Sequence, residues 1–251
     1  MKRLVFISLL LVAVTVSAQD TIRIMTYNIK AATMSSTYNL ADYIKQWKPD
    51  LVALQEVDVN TARAAKHNPE GTNVVDGLGY YTDMLSAFSS SLPYKGGYYG
   101  VGVLSKYPFL SVESVALPQK SEAEPRSLIV CKLKIGDKDI CFMSAHLCLK
   151  KDNRVMQMKT VEKIAKKAKC LTFVCGDMNS FVQDGEIKQY MKSFKDALPE
   201  DKNTFPSLVP DRKIDYVLYN HQKEVEVIDT QIDTIVPLSD HCCCIVDVVV
   251  K

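Results

Sequence analysis

Residues 140–179 contain the pattern that decides the fold: ICFMSAH (140–146) and LTFVCGDMN (171–179) are two apolar runs that each end in polar residues. Such runs are typical of buried strands. Between them, apolar residues recur at helical spacing from Val155 to Ala168. A strand, an amphipathic helix and a second buried strand in succession predict an α/β fold.

The rest of the chain extends this arrangement. A helix is predicted where apolar residues recur from Leu40 to Trp47, and Pro49 ends it. The stretch from Asp58 to Lys95 is rich in Asn, Gly, Ser and Pro and predicts long loops. Many strands with few helices fit two packed sheets flanked by helices, although this pattern alone does not separate a sandwich from other α/β folds. The predicted strands are Ile22–Tyr27, Leu51–Leu54, Gly100–Leu104, Leu128–Ile135, Ile140–Ala145, Leu171–Cys175, Ile214–Leu218, Val225–Ile232 and Cys243–Val249.

The first 18 residues predict a signal peptide. Lys2 and Arg3 precede an apolar run, which closes on a small-residue cleavage pattern ending at Ala18. The alternative is a membrane anchor, but the run is shorter than the roughly 20 residues of a spanning helix. We therefore expect a secreted or periplasmic protein, with residues 19–251 forming one domain without a transmembrane segment.

The expected mature chain has no net charge. Without Lys2 and Arg3, 29 basic residues face 29 acidic residues. Proteins that bind nucleic acid nonspecifically usually carry a basic excess, because neutralising phosphates supplies much of their affinity. Nucleic acid is therefore a less favoured partner than a small phosphate ester.

Eight cysteines in an exported protein raise the question of disulfides. Most of them lie inside apolar strand-like runs, where a thiol acts as a small hydrophobic group. Cys131 and Cys141 flank a predicted turn at Gly136-Asp137 and are the one pair for which a disulfide across a hairpin is expected. No CxxC pair occurs, which argues against a structural zinc site.

Polar residues recur where apolar runs end, and strand ends that converge on one edge of a fold form a site. Carboxylate, amide and imidazole groups are suited to Mg²⁺ and to proton transfer at a phosphate. These residues are Asn28, Glu56, His146, Asp177 and Asn179, together with Asp215, Asp240 and His241 from two further blocks.

Eight blocks, in this order, resemble the endonuclease/exonuclease/phosphatase superfamily: TYNI, LQEV, YGVGVLSKYP, SAHL, GDMN, TFP, IDYVL and SDH. The resemblance spans essentially the whole expected mature chain. It implies a four-layer αββα sandwich, in which two mostly antiparallel sheets pack face to face with helices outside. It also implies a metal-dependent hydrolase that acts on phosphoric ester bonds.

The resemblance further implies that Glu56 is the principal Mg²⁺ ligand, with Asn28 and Asp240 beside it, and Mn²⁺ is an alternative ion. Mg²⁺ binds few carboxylates and keeps several waters, so one strong ligand with two helpers suits it.

The roles of the remaining residues follow from the same resemblance. His241, oriented by Asp215, would lie against the scissile phosphate, and Asp177 would act with it as base and stabiliser. Asn179 would donate a hydrogen bond to a phosphate oxygen.

On the leaving-group side, His146 matches the position of the family's second histidine. Arg126 resembles a phosphate-proximal arginine, with an ion pair to Glu122 or Glu124 as the alternative.

These observations predict a secreted, Mg²⁺-dependent phosphoesterase that acts as a monomer. Nuclease, sphingomyelinase-like lipid phosphodiesterase and small-molecule phosphatase remain open, because fold does not fix substrate. A catalytically idle binding module on the same fold is the alternative from another class. Such a module would lack the acidic and histidine residues that this chain keeps.

Overall fold

The computed structural model describes residues 21–69 and 71–251, so the predicted signal peptide (residues 1–18) lies outside the described residues. Most predicted strands are confirmed, several with longer bounds. The strands are β1 (Thr21–Asn28), β2 (Leu51–Val59), β3 (Leu85–Tyr94), β4 (Gly97–Ser105), β5 (Phe109–Ala116), β6 (Ser127–Ile135), β7 (Lys138–His146), β8 (Leu171–Asp177), β9 (Lys195–Asp196), β10 (Asp215–Tyr219), β11 (Val225–Asp233) and β12 (Cys243–Val250).

The strands form two six-stranded sheets with matching internal patterns. The first sheet has the order β11-β12-β1-β2-β4-β3 and the second the order β5-β6-β7-β8-β10-β9. Within each sheet one central pair is parallel, β1 with β2 and β7 with β8, and the other pairs are antiparallel. A parallel pair requires a crossover connection, and a helix supplies it in both sheets.

Helices cover the outer face of each sheet and complete four layers. The core between the sheets contains Ile24 and Val246 from the first sheet and Phe142 and Phe173 from the second. Two further apolar clusters lie between the sheets and their helices. The predicted αββα sandwich is therefore confirmed. The α-helices are α1 (Thr37–Trp47), α2 (Ala62–His67), α3 (Val74–Thr82), α4 (Lys151–Ala168) and α5 (Glu186–Tyr190), and short 3₁₀ turns span Lys30–Ala32 and Val182–Asp184.

The prediction of long loops from Asp58 to Lys95 is wrong, because this stretch contains α2, α3 and β3. β3 has no strong apolar run since it is an edge strand whose side chains are mostly half-buried or exposed. The edge strand β5, also exposed along most of its length, is not predicted by the sequence for the same reason. Sequence patterns that depend on burial therefore do not detect edge strands.

The expected disulfide between Cys131 and Cys141 is also wrong, because all eight thiols are free. The hairpin predicted at Gly136-Asp137 exists, but its register pairs Cys131 with Phe142 and Lys132 with Cys141. A register offset of one residue places the two thiols on opposite faces of the sheet. Cys131 therefore packs in the core between the sheets, whereas Cys141 packs under the helices.

No helix within the described parts of the chain is both long and apolar enough to cross a membrane.

We predict that the cysteines Cys242 to Cys244 resist labelling in the native protein. All three are buried, and burial raises the pKa of the Cys242 thiol to about 12 and those of its two neighbours well above the usual value. Cys170 is the only half-exposed cysteine and should react first. Labelling with a chromogenic disulfide reagent, followed by peptide mass spectrometry, measures the order. Labelling of any of the three before Cys170 would show that this strand is not core.

Candidate active site

The polar residues that follow the apolar runs meet at one edge of the sandwich. Asn28 closes β1 opposite Gln55, and Glu56 follows directly where the parallel pairing of β1 with β2 ends. His146 and Asp177 close β7 and β8. Asp215 opens the antiparallel β10 directly opposite Asp177. The carboxyl ends of both parallel pairs therefore converge, in agreement with the sequence-based expectation that the strand ends form one site.

A cleft of about 600 Å³ opens at this edge. Asn28 and Asp215 lie beneath its surface and are almost fully buried. The other predicted site residues line it: Glu56, Arg126, His146, Asp177, Asn179, Asp240 and His241. The structure thus brings all the sequence-predicted site residues together.

The side-chain amide of Asn28 connects three of these groups. Its Nδ2 lies 3.1 Å from Glu56 Oε1, 3.3 Å from Asp177 Oδ2 and 3.3 Å from His241 Nε2. The backbone N–H of Lys30 donates to Asn28 Oδ1 at 3.1 Å. That bond turns the amide nitrogen toward Glu56, so in this orientation Asn28 holds Glu56 in place. Direct ligation of a metal by Asn28 stays a prediction.

Glu56 owes its direction to an irregularity in β2. The pairing of β2 with β4 shifts between Leu54 and Val57, and Glu56 has a φ of 54°. A left-handed conformation costs a non-glycine residue about 1 kcal/mol or more and is common at functional sites. The bulge turns Glu56 into the cleft, while the neighbouring Gln55 donates to Ser144 Oγ at 3.1 Å in the buried space between the sheets.

Asp240 is held by Lys30, which lies in the 3₁₀ turn that follows β1. Lys30 Nζ lies 2.8 Å from Asp240 Oδ2. Lys30, Ala31 and Ala32 have φ values of 48°, 53° and 51°, so this turn is left-handed throughout. Lys30 therefore reaches across the site to the carboxylate.

His241 is oriented by Asp215. Its Nδ1 lies 3.0 Å from Asp215 Oδ2, and Thr204 donates to the same carboxylate oxygen at 2.7 Å. The ring of Phe205 packs against the imidazole with centroids 4.7 Å apart. Burial lowers the pKa of His241, but the Asp215 carboxylate outweighs it and the net result is a pKa raised to about 9. Nε2 is left to face the cleft and Asn28.

Asp177 is buried at the centre of the cluster. Its Oδ1 accepts the backbone N–H of Asn179 at 2.9 Å, and Asn179 has a φ of 48°. Burial, followed by the negative charge of Asp215, raises the pKa of Asp177 to about 7. A carboxyl group with a pKa near neutrality is suited to accept a proton. The Asn179 side chain donates to the carbonyl oxygen of Leu147 at 2.9 Å, which fixes the amide beside the cleft.

The residue before Asp177 must be glycine. Gly176 has a φ of 144°, and a Cβ there would lie 1.9 Å from the carbonyl oxygen of Ala145 on β7. β7 and β8 can therefore approach closely enough to place His146 beside Asp177.

Arg126 determines which nitrogen of His146 carries the proton. Arg126 Nη1 lies 3.2 Å from His146 Nδ1, and a guanidinium can only donate, so Nδ1 accepts and the proton is on Nε2. Nε2 faces Asp177 Oδ2 at 3.4 Å. Burial, then the charges of Arg126 and His241, hold the pKa of His146 well below its usual range. The Arg126 guanidinium also pairs with Glu124 at 2.6 Å, so the ion pair weighed from the sequence exists.

Two sets of ligand groups are candidates for a metal. Asp177, Asp215 and His241 place one ligand atom each within 4.8 Å of one another. However, Asp215 is already bonded to His241 and Thr204. Glu56 and Asp240 offer carboxylate oxygens at the cleft surface, and Glu56 has Asn28 as its hydrogen-bond partner among the described residues. Hard, accessible carboxylates are the donors that Mg²⁺ prefers, so the second set fits that ion better.

Several contributors to the site have no role assigned by sequence reasoning. Thr204 and Phe205 belong to the TFP block, and the resemblance of that block to the family was the sequence signal that pointed to them. Arg63 and Tyr94 line the cleft, but they come from the stretch that the sequence predicts as loop. Tyr99, which also lines the cleft, opens the YGVGVLSKYP block without an assigned role. Their positions depend on tertiary contacts, which local patterns do not report.

The family model described as "Endonuclease/Exonuclease/phosphatase family" matches residues 25–241. Among curated proteins, none matches the sequence.

Solved structures share the fold. A Bacteroides vulgatus endonuclease/exonuclease/phosphatase has a TM-score of 0.74 at 18% identity, over 92% of this chain and 100% of that one. A Bacteroides thetaiotaomicron mannosyl-6-phosphatase has a TM-score of 0.74 at 13% identity, over 91% and 99%. D. rerio TDP2 complexed with a single-strand DNA product has a TM-score of 0.69 at 17% identity, over 91% and 98%. At these identities the likeness concerns the fold alone.

We predict that Arg126→Met raises the pKa of His146, because it removes a positive charge next to the imidazole. The pKa should stay below the ordinary value since burial, the larger cause, remains. The chain has only four histidines, so NMR titration of their ring protons can follow each one. Arg212→Met is the matched control, because Arg212 lines the same cleft but pairs with the exposed Asp211. An unchanged His146 titration in Arg126→Met would contradict the assignment.

Proposed function

The chain belongs to the endonuclease/exonuclease/phosphatase family, and we propose that it is an exported, Mg²⁺-dependent phosphoesterase that hydrolyses a phosphate ester with an activated water. The observation that carries the proposal is the single cluster in which Asn28 contacts Glu56, Asp177 and His241. Around one amide, the cluster contains a candidate metal ligand (Glu56), a carboxyl group with a pKa of about 7 (Asp177) and an imidazolium (His241).

Glu56 and Asp240 would hold the metal ion, with Asn28 beside them and Mn²⁺ as an alternative to Mg²⁺. When bound, the ion would polarise a phosphoryl oxygen and offset the charge that develops in the transition state. Lys30 next to Asp240 limits the negative charge of the ligand set and holds that carboxylate in position.

The residues around the metal ligands transfer the proton of the water and bind the phosphate. Asp177 accepts the proton of the attacking water, because burial raises its affinity for protons to the neutral range. His241, kept cationic by Asp215, donates from Nε2 to a phosphoryl oxygen. The amide of Asn179, fixed on Leu147, presents its remaining N–H to the phosphate. Asp177 and His241 thus act jointly as base and stabiliser.

His146 acts on the leaving group. Since Arg126 fixes its proton on Nε2, the neutral ring can donate a hydrogen bond to the departing oxygen, which takes its proton from solvent water. Arg126 orients His146 and contributes positive charge beside the phosphate position.

The proposed substrate is a phosphate ester, either a monoester or a diester. The structural neighbours include a mannosyl-6-phosphatase and a DNA-bound TDP2, so both sugar phosphates and DNA ends belong in a substrate test. The balance of 31 basic and 29 acidic residues in the full sequence favours a small ester over nonspecific nucleic acid. Export rests on residues 1–18, and we propose a monomer. The idle binding module is disfavoured because the acidic and histidine residues are present and in contact.

We predict that turnover requires a divalent metal and depends on Glu56. A panel of a phosphomonoester, a phosphodiester, DNA and sphingomyelin, assayed with Mg²⁺, Mn²⁺ or EDTA, identifies the substrate. Glu56→Gln should lower kcat by roughly 10²- to 10³-fold, the range for loss of a group that stabilises transition-state charge. Glu226→Gln on β11 is the control, because its exposed carboxylate pairs with Lys251 at the opposite end of the sheet. Full turnover in EDTA would exclude the metal mechanism.

We also predict that His146→Ala and His241→Ala each lower kcat by about 10²- to 10⁴-fold, the usual range for positioned acid–base groups. Circular dichroism should remain native, because His146 closes β7, His241 precedes β12, and neither belongs to the apolar clusters. His221→Ala is the matched control, since this exposed histidine pairs with Glu224 and does not line the cleft. If both site variants lost their fold, the histidines would be structural.

A further inference from the structure

The cleft continues past the catalytic cluster along a wall that consists of Arg63, Leu92, Tyr94 and Tyr99, here called the Arg63 wall. Arg63 lies on α2, and the other three residues lie on β3 and β4. The guanidinium carbon of Arg63 is 4.6 Å from the ring centroid of Tyr94 and 5.4 Å from that of Tyr99. The arginine is therefore stacked on two aromatic rings at the side of the cleft.

The Arg63 wall leads directly to the leaving-group side of the site. Burial raises the pKa of the Tyr99 hydroxyl, and the charge of the neighbouring Arg126 opposes that rise. Arg126 in turn contacts His146 Nδ1 at 3.2 Å. Tyr99 thus lies between Arg63 and Arg126, and a leaving group that departs past His146 extends toward Arg63.

Arg63 is held rigidly. Its Nε and Nη2 each donate to the Asp58 carboxylate at 2.7 Å, and Thr61 donates to the same carboxylate at 2.7 Å. Asp58 is fully buried and lies on β2 two residues after Glu56. A side chain that is already immobile loses little entropy when it binds a ligand, and a guanidinium binds phosphate or carboxylate with directional bonds.

This end of the cleft keeps an unbonded guanidinium nitrogen. Asp58 offsets the charge of Arg63, but Nη1 of Arg63 has no hydrogen-bond partner in residues 21–69 and 71–251. Lys95 Nζ, 5.3 Å from the Tyr94 ring centroid, lies behind this wall rather than in the lining of the cleft. An N–H group of a fixed guanidinium suits an anion rather than a neutral hydroxyl, because charge-assisted hydrogen bonds are the stronger ones.

We propose that Arg63, with Tyr94, forms a specificity subsite for a second anionic group, a phosphate or a carboxylate, on the leaving-group side of the scissile phosphate. The proposal rests on the proposed function, because it assumes that the cleft binds a phosphate ester.

The test compares paired compounds that differ by one anionic group. Glucose 6-phosphate is paired with glucose 1,6-bisphosphate and with 6-phosphogluconate, and the dinucleotide TpT is paired with its 5′-phosphorylated form. Each is measured as a substrate or, if it is not hydrolysed, as an inhibitor of the best substrate. The wild type should bind the doubly anionic member of a pair about 10- to 100-fold more tightly, the range for charged hydrogen bonds. A preference for glucose 1,6-bisphosphate indicates that the subsite binds phosphate, and a preference for 6-phosphogluconate indicates that it binds carboxylate.

Arg63→Gln should reduce that ratio by at least about 10-fold. Arg23→Gln is the matched control, because Arg23 makes the same two 2.7 Å bonds to a carboxylate, that of Asp247, away from the cleft. It should keep the wild-type ratio. If Arg63→Gln does not fold, Arg63→Lys, which cannot both pair with Asp58 and face the cleft, should still lower the ratio.

The outcomes separate the two proposals. Inactivity of the wild type on every phosphate ester of the panel would defeat the proposed function and this subsite with it. An active wild type without preference within the pairs would overturn the subsite alone. So would an Arg63 variant that keeps the wild-type ratio or that weakens both members of a pair equally.

Discussion

The burial of the Asp177 carboxylate is the constraint on which the site and the packing of the two sheets both depend. A buried charge is costly unless hydrogen-bond donors surround it. Asp177 is 2% exposed, and its donors are the backbone N–H of Asn179 and the side chain of Asn28, with His146 Nε2 3.4 Å away. Asn28 belongs to the first sheet and the others to the second, so the carboxylate is satisfied only when the sheets are correctly packed. The structure therefore links formation of the core to assembly of the site.

Backbone strain is concentrated around the same carboxylate. Glu56 and Asn179 have φ values of 54° and 48°, in the region that non-glycine residues avoid. Neighbouring buried hydrogen bonds hold these conformations. Ser239 donates to the carbonyl oxygen of Asn28 at 2.6 Å, and Ser144 donates to that of Leu54 at 3.0 Å. Strain at a functional site persists where surrounding contacts fix it, and here the Ser144 contact crosses between the sheets.

The sequence predicts the parts of this structure that depend on burial. β7 and β8 are apolar along their length, so their existence and the polar residues at their ends could be derived directly. The exposed edge strand β5 could not, because its outward side chains carry no periodic apolar signal. The register of the β6–β7 hairpin also could not be derived, and one residue of offset was enough to exclude the disulfide. Residue roles came from the resemblance in eight short blocks. The contacts of Thr204 with Asp215 and of Arg63 with the Tyr94 and Tyr99 rings depend on the tertiary structure and could not be derived in this way.

The arginines of the cleft explain how a chain with balanced charge can be suited to an anionic substrate. Arg126, Arg154 and Arg63 each pair with a carboxylate, namely Glu124, Glu186 and Asp58. The two charges of each pair cancel, so the net charge of the chain does not reveal these arginines. Each pair nevertheless fixes a guanidinium in direction, and a fixed donor is worth more inside a cleft than a mobile charge on the surface. Anion recognition in this fold can therefore depend on the placement of charges rather than on their sum. For that reason the neutral composition argues against a nonspecific polyanion, but not against a small substrate with several charges.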